Sequence, residues 1–103
     1  MTAENSSPLE IDKQIHEPAR LLLMAHLYVV EKADFTYLMR QTGLTWGNLS
    51  SHMSKLENAG YIEVVKAFKG KRPNTMLKMT PQGRTAFQIY RQQMLGMLGN
   101  IPE

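Results

Sequence analysis

The chain contains no cysteine, which excludes disulfide staples, thiolate zinc sites and cysteine nucleophiles and makes the fold indifferent to redox compartment. It also lacks a membrane-length apolar run: the longest, around Leu21 to Val30, is interrupted by His26 and falls well short of a bilayer's thickness. Residues 1 to 7 are too polar for a signal peptide, so a cytoplasmic protein is expected. Acids are scarce beyond residue 34, because Glu4, Glu10, Asp12, Glu17, Glu31 and Asp34 are six of the nine. With a formal charge of +3 and a pI near 9.3, positive potential gathers in the later chain and favours a polyanionic partner. Materials for catalysis are missing as well. Ser50 and Ser51 have no base and acid beside them, no carboxylates are paired, and no glycine-rich loop could cradle phosphate. His16, His26 and His52 are too dispersed for a metal signature. The expectation is therefore no enzyme, no cofactor and no metal.

What is present fits one small domain. At 103 residues and 43% hydrophobic composition the core is modest, and association is a natural source of further stability. Residues 1–8 are expected as a flexible tail, 9–98 as the domain and 99–103 as a second tail. Leu9, Ile11 and Ile15 suggest a short helical turn. Glu17 to Glu31 predicts a helix with Pro18 in its first turn and an apolar stripe of Leu22, Leu23, Ala25, Leu27, Val29 and Val30, most of it buried. Asp34 caps the next segment, whose stripe of Phe35, Leu38 and Met39 stops at Gly43. At the far end Thr80 caps and Pro81 starts a final helix with Ala86, Phe87, Tyr90, Met94, Met97 and Leu98 as its apolar face. The remaining methionines, Met24, Met39, Met53, Met76 and Met79, read as adaptable filler of core and interface.

Between these lies the segment that carries chemistry. Over residues 45–59 a helix capped by Thr45 and stopped before Gly60 places Leu49, Met53 and Leu56 on one stripe. Gly47, Ser51, Ser54, Lys55 and Asn58 point the other way, with Asn48 and His52 on one flank and Trp46 and Ser50 on the other. This small, polar face has no acid in its N-terminal half, so a phosphate backbone can come close and side chains can reach base edges. The helix start at Thr45 also offers its dipole and free N–H groups to an anion. Trp46 suits either stacking on a nucleotide or packing on the preceding helix. After Gly60 the period falls to two. Tyr61, Ile62, Val64, Val65 and Phe68 form one strand, and Leu77 and Met79 belong to its return. The connection, Lys69 to Asn74, carries Lys69, Lys71 and Arg72, with Lys66 and Lys78 flanking it. Such a run can be a solvated edge guard, but beside a groove-sized helix it reads as a phosphate clamp.

The order is helix, helix, recognition helix, hairpin, helix: mainly α with a small β-hairpin, an α+β winged helix-turn-helix with a three-helix core, a wing over 66–78 and a C-terminal dimerisation helix. Three stretches carry a family likeness: I-H-E-P-A-R-L at 15–21, L-T-W-G-N-L-S-S-H-M-S-K-L-E-N-A-G-Y-I at 44–62, and K-G-K-R-P-N-T at 69–75 with L-K-M-T-P-Q-G-R at 77–84. In these the chain resembles the compact winged-helix transcriptional regulators related to the MarR and ArsR groups. The resemblance implies a homodimeric, repressor-like protein whose recognition helices enter successive major grooves of double-stranded DNA while the wings touch backbone or minor groove. It implies contacts from Trp46, Gly47, Asn48, Ser51, His52 and Lys55 on the helix, next to the capping Thr45, and from Lys69, Lys71 and Arg72 on the wing. Unlike metal-sensing members, the chain has no cysteine and no clustered His and acid ligands. Apolar positions near 9–20 and 84–98 exceed what the core can cover, which predicts a two-fold dimer with half-site centres about 34 to 36 Å apart. The alternative is a winged-helix docking module without sequence-specific DNA binding.

Overall fold

The computed structural model describes residues 10–103; the tail expected at 1–8, and Leu9, lie outside the described residues. Four helices and three strands follow in the order α1 (Pro18–Val30), β1 (Lys32–Asp34), α2 (Phe35–Thr42), α3 (Trp46–Asn58), β2 (Ile62–Lys69), β3 (Arg72–Met79) and α4 (Pro81–Leu98). The sheet is antiparallel with β3 in the middle, in the order β1-β3-β2. Among the described residues no helix is long and apolar enough to cross a membrane.

Local chemistry fixes the helix ends. Glu17, Asp34, Thr45 and Thr80 each sit in extended backbone and accept the N–H three residues on, from Arg20, Tyr37, Asn48 and Gly83. These caps satisfy donors that a helix start otherwise leaves unpaired. The end of α3 is equally defined. Gly60, at φ 82°, donates to the Glu57 carbonyl at 2.9 Å and Tyr61 donates to that of Leu56 at 3.0 Å, the paired bonds of a Schellman stop. Ile15, Leu23, Met24, Leu27, Leu38, Leu49, Leu56 and Leu77 are fully buried, so α1, α2, α3 and the sheet close on one core.

The sequence expectation needs three corrections. First, the hairpin is part of a three-stranded sheet, because Ala33 lies opposite Leu77 and extends β3 on its other side. A three-residue strand with one apolar side chain has no period to detect; pairing with an existing edge creates it. Second, the wing tip is tighter than a loop from Lys69 to Asn74. Lys69 pairs with Arg72 and only Gly70 and Lys71 connect them, with Gly70 at φ 68° supplying the positive φ that two-residue hairpin loops require. Pro73 therefore lies within β3, at a level that β1 does not reach, where a missing ladder donor is tolerated. Third, the stripe of α1 is Leu23, Met24 and Leu27 completed by Arg20, whereas Leu22, Val29 and Val30 are exposed; an all-round apolar helix can turn only one side inward. On α4 Phe87 and Tyr90 are buried, and Leu98 faces solvent beyond the core's reach.

A tight junction ties the end of α3 to α4. Thr80 donates its N–H to the Tyr61 carbonyl at 3.1 Å and its hydroxyl to that of Gly60 at 2.7 Å. Gly83 lies flat on the same backbone, where a Cβ would stand 2.1 Å from the Tyr61 oxygen. Ahead of α1, Asp12 accepts the N–H groups of Gln14 and Ile15 and the hydroxyl of Tyr61. Burial, with the hydrogen bond and charge of Asp12, pushes the Tyr61 phenol up to about 12. Burial alone raises that of Tyr90.

Candidate nucleic-acid interface

Leu49 and Leu56 anchor α3 in the core with Met53 half-buried, so the helix presents the face its periodicity predicts: Thr45, Gly47, Asn48, Ser51, Ser54, Lys55 and Asn58 are all exposed. The Thr45 hydroxyl takes up the Asn48 N–H at 3.1 Å. The N–H groups of Trp46 and Gly47, at the first two helical positions, have no intrahelical acceptor. A Cβ on Gly47 would meet nothing within 4 Å, so the backbone stands bare at the helix's positive end. For Trp46 the structure shows packing on the preceding helix. Its ring packs at 5.8 Å from that of Phe35, tilted by 52°, and the side chain is still 67% exposed.

His52 is held differently from its neighbours. It is half-buried, with Nδ1 3.0 Å from Arg20 Nη1 and 3.8 Å from Glu17 Oε1. A guanidinium has no acceptor, so in the neutral ring Arg20 donates to Nδ1 and the ring proton sits on Nε2; the 3.8 Å approach to Glu17 is an ion pair in the protonated ring. Arg20 also donates from Nε to the Gln14 carbonyl at 2.6 Å and is only 8% exposed. It thus clamps the turn before α1 against α3. Partial burial opposes charge on Glu17, but the Arg20 N–H bond and the nearby His52 and Arg20 hold its carboxyl below the usual range. Sequence reasoning missed Arg20. The available signal was its place in register with Leu23, Met24 and Leu27, four positions of one stripe.

On the wing Lys69, Lys71 and Arg72 are all exposed, as are Lys66 and Lys78. From Val64 to Met79 there is no acid. The middle of the wing faces α2 and the first turns of α3 across a cleft of about 260 Å³ lined by Phe35, Thr36, Trp46, Met53 and Pro73 together with Ser50, Lys66, Asn74 and Thr75. Of the predicted helix positions the structure brings Trp46 against the wing, across a cleft of mixed polar and apolar lining with one cation, Lys66; Gly47, Asn48, Ser51, His52 and Lys55 lie outside that lining. His16 and His26 lie apart from this site. The Nδ1 of His16 is 2.9 Å from the Tyr90 hydroxyl, a packing contact between the α1 approach and α4. Among the described residues no three His, Asp or Glu side chains converge as metal ligands.

Comparison with known proteins agrees with this geometry. Residues 19–98 match the family model described as a winged helix DNA-binding domain. An uncharacterized protein of Methanocaldococcus jannaschii is 37% identical over 89 residues, covering 86% of this chain and 97% of its own. The structure of a transcriptional regulator homologue from Pyrococcus horikoshii superposes with a TM-score of 0.80 at 26% identity, covering 94% of this chain and 92% of that one. PcaV, a Streptomyces coelicolor transcriptional regulator solved with its natural ligand, shares the fold at a TM-score of 0.69 and 14% identity, over 91% of this chain and 68% of its own.

Proposed function

The chain belongs to the winged helix DNA-binding domain family, and from that premise we propose that it is a homodimeric, repressor-like transcriptional regulator of a pseudo-palindromic duplex site in the cytoplasm. The observation that carries this reading is the polar face of α3, free of acid in its N-terminal half, standing exposed on a chain whose wing is exposed and cationic. In the proposed complex α3 lies in the major groove. Asn48 and Ser51 read base edges there, His52 acts only as an Nε2–H donor, and Lys55 contacts phosphate nearby. Thr45, Trp46 and Gly47 form the helix start, whose free N–H groups and dipole suit a backbone phosphate. On the wing Lys69, Lys71 and Arg72 supply mainly nonspecific attraction.

Support for a dimer comes from apolar side chains that the single chain leaves uncovered on and after α4: Ile89, Leu95, Leu98 and Ile101 are 46 to 63% exposed. Selecting bound fragments from a random duplex pool tests the whole proposal, because it reports sequence preference, symmetry and half-site spacing together. The expected result is an inverted repeat with centres about 34 to 36 Å apart. Recovery of fragments with no shared sequence would leave a docking module as the better description.

A further inference from the structure

Phe68 is 74% exposed, although it stands on the strand face that buries Ile62. Side chains alternate across a strand, so Ile62, Val64, Lys66 and Phe68 share one face of the hairpin. Their partners Met79, Leu77, Thr75 and Pro73 share it with them. Along this face the character changes with distance from the core. Ile62, Leu77 and Met79 are buried, Lys66, Thr75 and Pro73 line the cleft beside α3, and Phe68, opposite Pro73 and outside that lining, stands exposed near the wing's tip. The Phe68 ring packs on no other ring among the described residues. The face that ends in this apolar pair is the one turned towards the recognition helix.

The surroundings decide what covers it. Lys66, Lys69, Lys71 and Arg72 frame the pair, and no acid lies between Val64 and Met79. A second copy docking wing to wing would bring two such cationic tips together, whereas a polyanion meets both the charge and the apolar pair. Resting on the DNA-binding reading above, we infer that Phe68, backed by Pro73, is a wedge that the wing carries into the minor groove, entering a base step and bending the duplex. Apolar side chains inserted between base steps from the minor groove kink DNA by about 20° or more. Unstacking is easiest at pyrimidine–purine steps. The wedge therefore adds a preference for TA or CA steps beside each half-site, at positions where no hydrogen bond reads the base.

The test uses the full chain and its selected duplex, with 2-aminopurine placed in turn at the flanking steps and with bend angle measured by end-to-end energy transfer. Wild-type protein is expected to raise the fluorescence several-fold at one step per half-site and to bend the duplex. Phe68→Ala should lose both signals, and the preference for the flexible step, while keeping the wild-type salt dependence and thermal midpoint. Phe68→Leu, which retains a wedge, should keep part of both signals. A bound wild-type complex that stays dark and straight overturns the wedge while leaving DNA reading intact. So does a Phe68→Ala variant equal to wild type, or one whose only defect is dissociation to monomer. If wild-type protein forms no duplex complex at all, the underlying reading falls first, and the absence of a complex distinguishes that failure.

Discussion

Two glycines show how differently one residue type can be required. Adding a methyl group at Gly83 would bring Cβ to 2.1 Å from the Tyr61 carbonyl oxygen, an atom fixed by its bond to Thr80. Alanine favours a helix over glycine by about 1 kcal/mol, but forcing a buried backbone apart costs about 1 to 3 kcal/mol or more. Gly83→Ala should therefore lower stability in urea unfolding. At Gly47 no atom stands within 4 Å, so the same change should leave stability equal or raise it by up to about 1 kcal/mol, yet weaken DNA binding by blocking close approach of the backbone. Equal losses of stability in the two variants would contradict this division. Tyr61 provides a pH-dependent counterpart. Its hydroxyl titrates at about 12 in the folded chain against an ordinary 10, because burial and the Asp12 carboxylate favour the neutral form. The associated stability is complete below pH 10 and declines as pH rises through 12. Tyr61→Phe should flatten the fall in unfolding midpoint measured between pH 9 and 11.5.

At the scale of elements, the wing offers the sharpest separation of attraction from reading. Replacing Lys69, Lys71 or Arg72 by Ala should weaken binding to every duplex and reduce the slope of log K against log salt by about 0.9 for each phosphate that the wing no longer neutralises. Asn48→Ala or Ser51→Ala should leave that slope in place and relax the sequence preference. Titrations at several salt concentrations against selected and random duplexes check both halves. The elements were legible where one local signal specified them. Thr45, Leu49, Leu56 and Gly60 mark both ends and the inward side of α3, and the alternation after Tyr61 marks the hairpin. Signals failed where a partner distant in sequence made the structure. β1 exists because Ala33 finds Leu77, Pro73 fits a strand because β1 stops short of it, and Arg20 is buried because Gln14 and His52 accept its donors. The orientation of His52 follows from that last interaction, so its reduced exposure was hidden in the helix pattern, which placed it on a flank.

For the whole molecule, the uncovered side chains of α4 matter most. Leu98 is 60% exposed, so Leu98→Asp should change the stability of a single chain by no more than about 0.5 kcal/mol. In a dimer built on this helix the same change would bury an unpaired charge. Sedimentation should then show monomer at micromolar concentration, with affinity for a full inverted repeat reduced by about 10² or more once the second half-site is no longer tethered to the first binding event, and affinity for one half-site preserved. A Leu98→Asp protein that still sediments as a dimer would place the interface elsewhere. The hydrogen bonds from Thr80 to Gly60 and Tyr61, with Gly83 seated on the same peptide, have a mechanical consequence. They weld the end of α3, the root of the wing and the first turn of α4 into one stiff elbow, so in the proposed dimer the two reading heads would turn only with their stalks. One base pair inserted at the centre of the operator rotates one half-site by about 34° relative to the other. A rigid caliper of this kind cannot follow that turn, and the spacer should tolerate no change in length.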